Sequence, residues 1–125
     1  MRVPWPISVD ATRVYWATGS QSGTVNDGTL ATCAIAGCAM SPTVLASGLG
    51  DPDTTAADAT GLYWGNWFGD TVMKCPLAGC GAGPTLLASG QAAPISVALD
   101  ATDVYWLDEG TQPNYTDGAL MKAPK

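Results

Sequence analysis

Four cysteines and a group of carboxylates and amides are the residues of this 125-residue chain best equipped for chemistry. The cysteines form two pairs, Cys33 with Cys38 and Cys75 with Cys80, enclosing "AIAG" and "PLAG". A chain reversal at such a segment can bring two sulfurs into disulfide range, and closing so short a loop is worth about 2 kcal/mol in the chain-entropy model. Zinc is the poorer reading, because the Cys-x4-Cys pairs lack a second ligand pair close by, so no metal site is assigned to them. Reduced, buried cysteine is the remaining alternative.

The polar set gives less to work with. There is no histidine, which removes Ser-His-Asp and Cys-His nucleophile arrangements, and no Gly-rich phosphate loop opens a helix. Asp108 and Glu109 are neighbours in sequence and on a strand would point apart, so a carboxylate pair at glycosidase spacing is not expected. No catalytic residue is assigned. A net charge of −6 with only five Lys and Arg argues against nucleic acid and anionic membranes, since affinity for either rests on neutralising phosphate. No stretch approaches the roughly 20 apolar residues that span a bilayer. The opening "MRVPWPISVD" lacks the apolar region of a signal peptide, so a leader, if there is one, lies outside this sequence.

The elements that must position these residues are written in a repeat. "DATRVYW" begins at Asp10, "DATGLYW" at Asp58 and "DATDVYW" at Asp100. Pro4, Pro52 and Pro94 each fall six positions earlier. "CAIAGCAMSPTVLASG" from Cys33 aligns without a gap on "CPLAGCGAGPTLLASG" from Cys75, and "LMKAPK" from Leu120 aligns on "VMKCPL" from Val72. The units cover about residues 1–48, 49–90 and 91–125, the third stopping where a turn and a further strand should follow.

Fifteen Gly and nine Pro beside 46% apolar residues imply a folded, turn-rich chain of short elements. Each unit reads as four strands, taken in the second as Thr54–Ala59, then "GLYWGNW" from Gly61, "TVMKCPL" from Thr71 and "TLLAS" from Thr85; in the third unit the first strand is "ISVALDA" from Ile95. Four strands in about 40 to 50 residues is the period of a propeller blade. The Asp of each heptapeptide suits the tight turn between strands one and two, because its side chain can accept backbone N–H bonds just downstream. The Tyr-Trp pair that follows points to both faces of its strand and is expected to form the core between blades. The fold class is therefore all-β: a β-propeller of three blade repeats of four antiparallel strands, the last lacking its outer strand.

Asp-Ala-Thr-x-Val/Leu-Tyr-Trp, Val/Leu-Met-Lys and Pro-Thr-x-Leu-Ala-Ser-Gly together resemble the blade repeat of bacterial secreted β-propellers, and more distantly YWTD and NHL repeats. The resemblance implies an exported protein, extracellular or in the cell envelope, whose propeller serves as a binding platform or lectin and occasionally as an enzyme. The Asp of the YWTD motif is missing after Tyr-Trp, so roles tied to that motif do not transfer. Three blades leave two apolar faces open, and propellers usually close with about 4 to 8. Either further blades of a longer chain or a homo-oligomer, most simply a dimer forming a six-bladed ring, is expected to cover them.

Length differences between units fall between strands two and three, in "ATGSQSGTVNDG" and "LDEGTQPNYTDG". In propeller topology these lie on the same face as inter-blade connections such as "GLGDPDT". That face would gather Gln21, Asn26, Asp27, Asp51, Asp53, Trp67, Asp108, Glu109, Asn114 and Tyr115 as candidate ligand-binding residues. The expected function is binding or scaffolding, with a polar ligand, a glycan or a protein recognised there; the alternative is part of a propeller lyase or hydrolase. Calcium is the ion such acids would hold, through carboxylate and backbone oxygens.

Overall fold

The computed structural model describes residues 3–19, 26–81 and 83–125. Local turn chemistry starts each sheet. Asp10 Oδ1 accepts the amides of Thr12 and Arg13 at 2.7 and 2.8 Å, and Asp100 Oδ1 accepts those of Thr102 and Asp103 at 2.8 and 2.7 Å. Backbone bonds of this kind favour the charged form and hold both carboxyls at a pKa of about 2. A tyrosine five residues on closes each turn, Tyr15 and Tyr105 donating to the second carboxylate oxygen at 2.8 Å. In the middle unit Asp58 accepts from Thr60 and pairs across the chain with Lys125.

Among the described residues eleven strands follow in three antiparallel sheets, each a meander in sequence order. The first holds β1 (Val3–Val9), β2 (Arg13–Gly19), β3 (Gly28–Ala34) and β4 (Thr43–Leu49). The second holds β5 (Pro52–Asp58), β6 (Gly61–Asn66), β7 (Thr71–Cys75) and β8 (Thr85–Ala88). The third has β9 (Pro94–Leu99), β10 (Asp103–Asp108) and β11 (Ala119–Pro124), and ends without a fourth strand. The sequence reading places the first strand of the middle unit two residues late. β5 opens at Pro52 because the register slips between Pro52 and Thr54, and such a bulge tolerates a residue with no N–H to give the ladder.

The sheets stack face to face. Tyr15, Leu30, Leu45 and Leu49 of the first sheet share a buried cluster with Leu62, Trp64 and Cys75 of the second. On its other side the second sheet presents Tyr63 and Val72 to Val97, Val104 and Trp106 of the third. Each Tyr thus faces the following sheet and each Trp the preceding one, as strand alternation requires of adjacent residues. Close stacking also needs glycine: a Cβ at Gly65 would lie 3.0 Å from both the Cβ and the carbonyl oxygen of Pro94. The expectation that all six aromatics form inter-blade core therefore holds for four. Trp16 and Tyr105 are only half-buried, because they lie on the outer faces of the first and third sheets, where no neighbour stacks.

Both expected disulfides are present, Cys33–Cys38 and Cys75–Cys80, with Cα separations of 5.4 and 5.1 Å. Each ties the end of the third strand of a sheet to the turn beyond it. Ala123 occupies the matching place in the third sheet, which has no such tie.

Candidate functional site

Three kinds of connection meet on one face of the stack. The β6–β7 loop, residues 67–70, is bonded to the link between the first two sheets: Trp67 N–H donates to Asp51 O at 3.0 Å, and the amides of Phe68 and Gly69 to Gly50 O at 3.2 Å. The link between the second and third sheets repeats the pattern, its Gln91 N–H reaching Asp70 O at 2.9 Å. The amides of Glu109 and Gly110, where the long β10–β11 loop begins, donate to Ala93 O and Ala92 O at 3.0 Å. Backbone bonds thus hold this face in place, with the β6–β7 loop, both inter-sheet links and the start of the long β10–β11 loop on one side; residues 20–25 of the other long loop lie outside the described residues.

Between these segments lies a cleft of about 450 Å³. Trp67, Phe68, Asp70, Gln91, Thr111 and Gln112 line it, with Gly90, Ala92, Ala93 and Gly110. Trp67 and Phe68 pack edge to face with ring centroids 4.3 Å apart, and Phe68 stays 40% exposed. Trp67 is anchored across the cleft by its indole N–H, which donates to Glu109 Oε2 at 2.9 Å. Gln91 is held from several sides, accepting from Trp106 Nε1 at 2.9 Å and donating through Nε2 to Ser89 O at 2.8 Å. Asp117 clamps Thr111 through its amide and its hydroxyl, both at 2.6 Å, which fixes the long loop at the cleft edge.

Asp53 is the extra residue of the β5 bulge. Burial, then the negative charges of Asp51 and Glu109, push its carboxyl up to about 6. The sign of the linkage follows. Below the ordinary carboxylate pKa of 3.8, near pH 3, the group is almost wholly neutral folded or unfolded and costs nothing; as pH rises from there through 6, the folded state must hold a disfavoured charge and loses stability. Asp53→Asn is therefore expected to raise stability at pH 7.5 by about 1 kcal/mol, solvent screening of this half-exposed position removing the rest, and to change almost nothing at about pH 3. Urea unfolding at the two pH values checks this; a gain at the acid pH equal to that at pH 7.5 would refute the electrostatic account.

The candidate residues read from sequence divide into four groups. Asp51, Asp53, Trp67 and Glu109 come together, joined by the contacts above. Asn26 lies beside Gly50 at the neighbouring link, Asp27 is half-buried on the same loop, and Asp108 at the end of β10 has its carboxyl raised by burial. Asn114 and Tyr115 are exposed on the long loop and do not line the cleft. Gln21 lies outside the described residues. Among the described residues no three His, Cys, Asp or Glu side chains converge to hold a metal ion. The sequence reading passed over Phe68, Asp70, Gln91 and Gln112. The signal for Gln91 was available, since "GQAAP" is the counterpart of "GLGDP", one link later in the repeat.

No family model matches the chain, and no curated protein does. Its fold is similar to that of a chain in the crystal structure of a nidogen/laminin complex, with a TM-score of 0.77 at 18% identity. The match covers 98% of this chain and 44% of that one, so the sequence spans less than half the length of the chain it resembles. At this identity the likeness is one of β-propeller-like fold.

Proposed function

We propose that the chain is the binding part of an exported propeller, and that a polyhydroxylated ligand of the glycan class sits in the cleft between the second and third sheets. The supporting observation is the cleft itself, lined by the packed aromatic pair of Trp67 and Phe68 together with Asp70, Thr111 and Gln112. Sugar rings carry C–H faces that pack on aromatic rings and hydroxyl edges that need carboxylate or amide partners, and a mostly pre-formed pocket with few convergent polar groups is the usual shape of such sites. Rigid anchoring of Trp67 and Gln91 reduces the ordering cost of binding. Two disulfides suit an oxidising compartment outside the cytosol.

A glycan array followed by titration of the best hit tests this. Phe68→Ala removes an exposed ring, so the thermal midpoint should hold while affinity falls about tenfold or more, equivalent to about 1.4 kcal/mol. Wild-type protein that binds no glycan refutes the reading. Release of product from a bound sugar would move it to the lyase or hydrolase class.

A further inference from the structure

The contact between adjacent sheets occurs twice within the chain, and its two occurrences define which residues the open faces should meet. At the first contact Ser8 Oγ lies 2.7 Å from Thr55 Oγ1. At the second, the positions that match them, Ala56 and Val97, pack in one cluster. One step further the matching residues are Ala98, on the outer face of the third sheet, and Ile7, on the outer face of the first. Polar meets polar and apolar meets apolar at the two observed contacts, and the unmade third would again be apolar with apolar. The aromatics obey the same rule: Tyr15 shares a cluster with Trp64 and Tyr63 with Trp106, which leaves Tyr105 for Trp16. Leu30 and Val72 are both fully buried at their contacts, whereas Leu120, at the matching position, is 70% exposed. Ile7 is 69% exposed on the complementary face.

We propose that these faces bind head to tail, the third sheet of one chain against the first sheet of a second copy, and that two copies close a six-bladed ring through two such contacts. Three sheets from each of two copies make six blades, within the usual range of about 4 to 8 for propellers. When one surface of a chain complements a different surface of its copy, the assembly is a ring where the rotation closes and an open filament where it does not. The inference does not depend on the cleft or its ligand.

Cysteine cross-linking tests order and number together. All four native cysteines are already bridged, so they supply no competing thiol. Chains carrying Ile7→Cys and Ala98→Cys together should oxidise to a covalent two-chain species, while either substitution alone should give none. Light scattering on the unmodified chain should show the mass of two copies, and Leu120→Asp should reduce it to one with circular dichroism unchanged. A cross-link from Ile7→Cys alone would mean head-to-head packing and overturns the proposal. So does a wild-type mass of one chain, which would reserve these faces for other blades, or an open-ended ladder of masses.

Discussion

Trp64→Ala is expected to cost about 3–5 kcal/mol, a large share of the total stability of a domain, which is about 5–15 kcal/mol. Trp64 is wholly buried between the first and second sheets, and its indole N–H donates to Asn66 Oδ1 at 3.1 Å, within the buried interior. Truncation would leave both a cavity and an acceptor without its donor. Trp16 carries the same position in the repeat but lies half-buried on an outer face, so Trp16→Ala in the isolated chain should cost only about 1–2 kcal/mol. Urea unfolding of the two variants side by side measures the difference. Equal losses would mean that stacking between sheets does not decide what each tryptophan contributes.

The second large effect concerns the bridges. Replacing Cys75 and Cys80 together by Ser should lower stability by about 3 kcal/mol, roughly 2 from restored chain entropy and the remainder from placing hydroxyls in an apolar cluster. Both sulfurs belong to residues buried between the first two sheets, against Leu45 and Trp64. Cys33 and Cys38 form an equally short loop but are only half-buried, so the same double replacement there should lose the entropic part alone. Thermal unfolding of both double variants, without reductant, checks the order. A larger loss at Cys33 and Cys38 would refute the packing argument.

Much of the fold could be read from the chain because the relevant physics is local. A turn that an Asp side chain closes with amides two and three residues on, and strands that alternate about it, leave their marks in consecutive letters; written three times, they announce three sheets, eleven strands and two short disulfide loops. The same letters say nothing about neighbours. Tyr63 and Trp64 are adjacent and equally buried, yet one packs with Trp106 and the other with Tyr15, and only the stacking order distinguishes them. The bulge that carries Asp53 into partial burial beside Asp51 and Glu109 depends on how Pro52 meets Asn66, two residues in different strands. The cleft is likewise assembled from residues 67–70, 90–93 and 110–112, three segments brought side by side by backbone bonds between sheets. Repeat, turn and strand were properties of the sequence by itself; which faces are covered, which carboxyl is desolvated and where a ligand could sit were decided by tertiary structure, because burial and field depend on distances between residues that the chain order keeps apart.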